Sequence, residues 1–358
     1  MTFPNRVHAD EDALLLSIES SQKASPPTSG LKSIFIGPNG LRVGWRLLIF
    51  VTLVVVLLGG FVLVRNGGVQ GFQEAKKHAA EITVTPLLMG VSEGGAFLLL
   101  CLAAFIMSKL EHRKFSEYGL PLRRALGKDL RIGVVSGFVA ISGTLLTMFL
   151  LHGFRVTGLA LHGTAILSSI VGWGIACLLV GLFEEFLCRG YLQYTLASGI
   201  GFWPAALVIS FLFGFGHYFN ANETVVGAVA AGMFGLLFCL FLRRTGSLWI
   251  AVGFHAAWDW GQTLYGVPDS GIAPYHNVLS SATSGPRWLT GGTVGPEASV
   301  LTPIALLVVA LIFNRYYREN LGASDERYYS WVRARRCSNS SNPVRRRQRL
   351  GMPSQEAT

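Results

Sequence analysis

Eight apolar stretches divide this chain, and about 20 apolar residues is the length that crosses a bilayer as a helix. They run at about Trp45–Val64, Thr83–Met107, Ile132–Leu151, from Thr164 onward, Phe202–Tyr218, Thr224–Leu242, Leu248–Leu264 and Val300–Phe313. The expected fold class is all-α: a polytopic membrane protein with about eight transmembrane helices in one bundle. Composition agrees, since only 14% of the residues are charged where a soluble domain carries about a quarter. No secretory signal peptide is read, because the first apolar run starts only at Trp45 and no small-residue cleavage site follows a short apolar core.

The stretches set the boundaries. Residues 1–44 are polar and broken at Pro26-Pro27-Thr28-Ser29-Gly30, which reads as a disordered cytoplasmic arm with a short helix near Asp12–Ser20. Residues 45–314 form the bundle, with its chemistry concentrated at about 115–265. Residues 315–358 hold ten arginines and no apolar run, the mark of a basic surface tail. The loop 265–299 is rich in Gly, Ser, Pro and Thr. Five cysteines show no metal-type spacing and read as small buried hydrophobes. Gly227, Ala231 and Gly235 recur at four-residue spacing and read as a helix-packing face.

The formal charge of +10 lies on loops and tail, so no nucleic-acid partner is expected. With the N-terminus inside, 25 of the 30 Lys and Arg residues fall on inner segments. The positive-inside rule then puts both termini in the cytoplasm of a multi-pass cell-membrane protein. Anionic lipid headgroups are the expected partners of the tail. The compact chain carries no organelle address, which favours a bacterial plasma membrane.

Ionisable groups inside such stretches are functional-site candidates. Glu184-Glu185-Phe-Leu-Cys-Arg189 is the foremost. Glu185 and Arg189 are four apart and share a helix face, which makes them a structural clamp. Glu184, turned by about 100°, is left free to act. Phe213-Gly-Phe-Gly-His217 lies late in the fifth stretch. Glu184 lies 16 residues before Ile200 and His217 lies 17 after it, so an antiparallel hairpin at Gly199–Gly201 puts them at nearly one depth. His255 and Asp259 share one face of the seventh helix, with His255 about 15 Å beyond the Arg243–Thr245 turn. One polar cluster follows, a third to halfway into the membrane and nearer the cytoplasm. Glu93 in the second stretch reads instead as an interfacial carboxylate.

Two chemistries suit this set. In one, Glu184 is the general base that deprotonates water for peptide hydrolysis, His217 orients the water, His255 stabilises the oxyanion and Asp259 orients His255. In the other, Glu184, His217 and His255 hold a divalent metal such as zinc, with water as fourth ligand. No HExxH helix occurs, and no serine lies beside these groups in the sequence pattern.

At these residues the chain resembles the CAAX-protease and bacteriocin-processing (abortive-infection) family of intramembrane endopeptidases. That family carries EExxxR, FxxxH and HxxxN/D on successive membrane helices; Glu184-Glu185 with Arg189, Phe213 with His217, and His255 with Asp259 match them in order. The resemblance covers about 115–265. It implies an eight-helix fold with a cytoplasm-facing cavity, Glu184 and His217 activating water, and His255 with residue 259 forming the oxyanion site. The last position is often Asn. An ionised Asp259 cannot donate a hydrogen bond to an oxyanion, so it is protonated, orients His255, or favours a cation. The implied activity is hydrolysis of a peptide or membrane-protein substrate by a protease that is glutamate- or metal-dependent. The contrasting reading is a non-proteolytic scaffold, immunity factor or regulator that keeps the cluster for folding; a channel is a weaker third.

Overall fold

A computed structural model describes residues 32–37, 40–78, 83–220, 222–273 and 275–317. The expected arm and tail, 1–44 and 315–358, lie for the most part outside these residues, as does the helix expected near Asp12–Ser20. Each apolar stretch is a helix: α1 Val43–Arg65, α2 Pro86–Leu110, α3 Lys128–Leu150, α4 Thr164–Ile200, α5 Phe202–His217, α6 Val225–Thr245, α7 Trp249–Tyr265 and α8 Leu301–Tyr316. Among the described residues, α1, α2, α3, α4 and α6 are long and apolar enough to cross a membrane, while α5 and α8 are shorter apolar helices. The chain is a mainly helical, multi-pass membrane protein.

Local chemistry sets the ends. Thr85 accepts a hydrogen bond from Leu88 N at 3.1 Å, with Pro86 at the first helical position of α2. Thr224 does the same for Gly227 N at 3.2 Å, starting α6. α6 and α7 stop at Gly246 and Gly266, whose φ of 66° and 70° is left-handed and suits glycine.

The outward faces are apolar; Val55 and Val56 of α1 are 64% and 63% exposed, as lipid contact requires and as a soluble surface rarely shows over such an area. The inside holds two clusters. Phe234, Phe238 and Phe241 of α6 pack with Phe254 and Trp258 of α7 in one. Phe50, Leu100, Met107, Phe186 and Tyr191 fill the other. Between them the site's helices approach closely because small residues meet. A Cβ on Gly253 of α7 would lie 2.5 Å from the Leu130 carbonyl oxygen of α3, and one on Gly181 of α4 would lie 3.0 Å from the Val252 carbonyl oxygen of α7. The four described cysteines are free thiols.

The main departure from an all-helical chain lies at one end of the bundle. There β1 (Phe154–Leu159) pairs antiparallel with β2 (Leu279–Thr283), pinning the long loop after α7 to the segment after α3. A two-residue pairing of Ile36–Gly37 with Gly40–Leu41 precedes α1. The opposite end gathers the α4–α5 and α6–α7 turns, where Leu248 N donates to Gly119 O at 2.8 Å and Trp249 Nε1 to Pro121 O at 3.1 Å.

Candidate active site

α4 is regular as far as Glu185 and then widens into a π turn over Phe186–Leu192, a feature that inserts an extra residue and recurs at functional sites. Gly190 carries the non-helical dihedrals, φ −78° and ψ −110°. A Cβ there would sit 2.7 Å from the Phe186 ring, so glycine lets the turn close. The two acids thus end the regular helix and Arg189 lies inside the wide turn.

Arg189 Nη1 donates to Glu185 Oε1 at 3.1 Å, and both side chains are fully buried. The guanidinium lies 4.3 Å from the Phe213 ring centre and 5.6 Å from that of Phe238, a cation–π arrangement. Gly235 of α6 makes room: a Cβ there would come within 2.5 Å of Arg189 Nη2. The stripe expected only to pack helices also shapes the arginine's seat.

Glu184 faces two imidazoles. Its Oε2 lies 3.6 Å from His255 Nε2 and 4.0 Å from His217 Nε2. Both distances are too long for a direct hydrogen bond. Glu184 Oε2 is buried with no hydrogen-bond partner. His217, the last residue of α5, points Nδ1 at Phe213 O, 2.9 Å away. A carbonyl only accepts, so Nδ1 carries the proton and Nε2, when the ring is neutral, presents a lone pair.

His255 is held differently from expectation. Its Nδ1 lies 2.9 Å from Glu185 Oε1, while Asp259 Oδ2 lies 3.5 Å from its Nε2. The hydrogen bond that fixes the ring therefore comes from Glu185, which touches Arg189 and His255 with the same oxygen. Phe238 stacks on the His255 ring at 5.5 Å and 22°.

The sequence reading missed one contribution, that of the loop at 267–299. Phe213, His217, His255 and Asp259 line a small cavity together with Ser270 and Glu297 of that loop. About 20 Å³ is open to a water-sized sphere, room for one water. The cluster expected nearer the Arg243–Thr245 end thus adjoins a loop from the opposite end. Gln262, fully buried on α7, donates to Asp269 Oδ1 at 2.9 Å and Glu297 Oε1 at 3.1 Å. Ser270 donates to Glu297 Oε2 at 2.7 Å. Burial, and then the neighbouring Asp259 and Glu297 charges, push the Asp269 carboxyl well above the usual carboxylate range. The available signal was two acids, Asp269 and Glu297, in a loop otherwise rich in Gly, Ser and Thr, plus Gln262 three residues beyond Asp259.

Among the described residues, Asp259, Asp269 and Glu297 are the trio with ligand-type atoms all within 4.8 Å of one another. Glu184, His217 and His255 are not gathered to that degree. Glu93 is half-buried on α2.

The fold and the cluster define a multi-pass helical membrane protein with carboxylates and imidazoles from three helices gathered inside the bundle. The comparison with known families is more specific. The Rce1-like family, described as type II CAAX prenyl endopeptidase Rce1-like, matches residues 166–261, a segment that begins in α4, ends in α7 and holds all four residues of the cluster. That match agrees with the resemblance of the segment's motifs to the CAAX-protease family. No curated protein matches the chain.

Proposed function

We propose that this protein is an intramembrane endopeptidase of the CAAX type, with Glu184 as general base. The observation that carries the proposal is the buried, unpartnered Glu184 Oε2 facing two imidazole Nε2 atoms at 3.6 and 4.0 Å. A water between Glu184 and His217 meets a carboxylate oxygen and a ring nitrogen with a free lone pair. Glu184 takes the proton as the water oxygen attacks the scissile carbonyl. The carbonyl oxygen becomes an oxyanion, and the collapsing intermediate expels the amine, which receives the proton back from Glu184.

His255 is the electrophile. Both its nitrogens face carboxylate oxygens, Nδ1 towards Glu185 and Nε2 towards Glu184 and Asp259. That is the environment of a doubly protonated ring, whose Nε2–H makes no hydrogen bond to the carboxylates at 3.5 and 3.6 Å and is left for the oxyanion. Asp259 then needs no proton of its own: it balances the imidazolium and keeps Nε2–H directed at the cavity. The departure from the family's usual Asn is accommodated by charge balance.

The substrate is a peptide or membrane-protein segment, by family analogy one near a lipid-modified C-terminus. It enters from the cytoplasmic leaflet if both termini are cytoplasmic, as the placement of Lys and Arg favours. Cysteine-accessibility labelling on the Gly199–Gly201 turn and on the β1–β2 end would fix the sidedness. Glu184, His217 and His255 have zinc-type donor atoms but are less closely gathered than Asp259, Asp269 and Glu297; an ion drawn in by them would supply Lewis acidity to a bound water. Elemental analysis of active protein before and after chelation decides between the two forms. Comparing membrane proteomes of cells carrying the wild type and Glu184→Ala is the test of function. Fragments made only by the wild type are expected; identical proteomes with equal expression would favour the scaffold reading.

A further inference from the structure

At the end of the bundle opposite β1–β2, two cavities that touch none of the four cluster residues run into each other. One is an apolar groove of about 730 Å³ between α3 and α8, floored by Gly143 and walled by Val139, Ile304, Val308 and Ile312. Its walls face outward; Val139 is 63% and Ile312 65% exposed. The other is a pocket of about 440 Å³ formed by Arg123, Arg124, Lys128 and Arg244 with a single acid, Asp129. Lys128 and Tyr317 line both, so the apolar groove opens directly into the cationic pocket.

Among the described residues, Asp129 is the one acid lining this pocket against four cations. Arg124 reaches Asp129 at 3.8 Å. Arg244 donates to Asn314, yet its Nε is buried without a partner. Arg123 and Lys128 make no ion pair or hydrogen bond among the described residues. The first turn of α3 adds to the field: it begins at Gly127 with no side-chain cap, and its free N–H groups carry the positive end of the helix dipole into the same pocket. An anion is the complement of that pocket, and an apolar chain lying along the membrane-facing surface is the complement of the adjoining groove.

We propose that this composite cavity binds an anionic phospholipid, its phosphate among Arg123, Arg124, Lys128 and Arg244 and an acyl chain in the α3–α8 groove. Basic pockets between membrane helices recognise acidic headgroups in this way. Phosphatidylcholine fills the groove too, but its choline cation cancels the charge of its phosphate, so the cationic pocket favours a headgroup with net negative charge; a free phosphate leaves the groove empty. The bound lipid bridges α3 to α8 and therefore stabilises the folded bundle by mass action.

The test uses the full chain in detergent, with native mass spectrometry and thermal melting read against added dioleoyl phosphatidylglycerol or dioleoyl phosphatidylcholine. Preferential retention of phosphatidylglycerol, with a matching rise in Tm, is expected for the wild type. Arg123→Gln combined with Lys128→Gln should weaken phosphatidylglycerol binding about thirtyfold and leave phosphatidylcholine unchanged. Gly143→Leu, at a position where a Cβ meets nothing within 4 Å, should fill the groove and weaken both lipids. Equal retention of the two lipids by the wild type would overturn the proposal without any variant. So would full phosphatidylglycerol affinity in the folded double variant, or displacement of phosphatidylglycerol by glycerol 3-phosphate or a farnesylated peptide at equal concentration.

Discussion

Two buried charge networks, one at an end of the bundle and one at its centre, use the same residue types to opposite effect. At the end, Glu111 has both oxygens engaged: Tyr191 donates to Oε1, while Arg46 and Arg113 share Oε2. Arg46 also reaches Ser198 and Thr195 at 3.3 and 3.4 Å, and Arg113 reaches Glu117 at 3.1 Å. The network joins α1, the end of α2 and the part of α4 beyond its wide turn. At the centre, Glu184 Oε2, Glu185 Oε2, Arg189 Nε and Arg189 Nη2 are buried with no hydrogen-bond partner, against Arg46 Nε alone among the side chains just named at the end. Satisfied charges hold helices together; unsatisfied ones keep a capacity to bind or to move a proton. Desolvation without compensation is unfavourable for folding, so it persists where function needs it.

The largest test of this contrast is Glu184→Gln. The amide is isosteric but cannot accept the water's proton, so cleavage should fall by about 10²–10⁴. The Tm should stay within a degree or two, because Glu184 makes no direct hydrogen bond to break. Activity on a cleaved substrate and a melting curve on the same preparation check both halves. A Tm collapse would show that Glu184 belongs with the structural charges.

Glu111→Ala should do the reverse. It strands Arg46, which is 2% exposed, and removing one partner of a buried pair destabilises by about 3–5 kcal/mol. Cleavage per folded molecule should be unchanged. Chemical denaturation in detergent with active-site counting separates these readouts, and a loss of turnover at full folding would mean that the wide turn transmits strain to the site.

Glu185→Gln falls between the two. Its Oε1 serves both Arg189 and His255, so the change should cost about 2 kcal/mol of stability, within the range for hydrogen bonds to charged groups. It should also lower turnover about tenfold by loosening His255 and reducing the negative charge that favours its second proton. A purely structural Glu185 would lower stability and leave the pH profile of turnover in place, whereas an orienting one shifts it.

That intermediate role also marks where sequence reasoning stopped. The helices, the Glu185–Arg189 pair and the nearness of Glu184 to His217 follow from apolar run length and from counting residues about the Gly199–Gly201 turn. Both are local regularities of helix geometry, with a rise of about 1.5 Å per residue. The Glu185–His255 hydrogen bond joins residues 70 apart, and it depends on how α4 rotates as it enters the wide turn, for which spacing has no code. The loop residues Ser270, Asp269 and Glu297 were hidden for a related reason. Their approach to Asp259 is set by the β1–β2 pairing, whose strands lie more than a hundred residues apart and show no marked alternation. The expectation that Asp259 orients His255 came from i, i+4 spacing on α7; the tighter contact came from another helix.

The smallest effect expected concerns that loop. Asp269 is half-buried beside Asp259 and Glu297, so its carboxyl holds its proton to higher pH in the folded protein than in the unfolded chain. As pH rises from the ordinary carboxylate range towards the raised one, the unfolded chain releases this proton first. The wild type therefore loses the corresponding stability over that window and stays at the lower level above it. Asp269→Asn carries no ionisable proton, and its side-chain carbonyl can still accept from Gln262 Nε2. It should raise stability at neutral pH by about 0.5–2 kcal/mol, the usual yield of relieving an unfavourable charge, and should flatten the pH dependence. Melting curves between pH 4 and pH 8 on the wild type and Asp269→Asn provide the measurement. Parallel curves would place the repulsion elsewhere, and a lower Tm for Asp269→Asn at neutral pH would mean that the loop depends on the ionised carboxylate, grouping Asp269 with the satisfied charges of Glu111 and not with the strained centre.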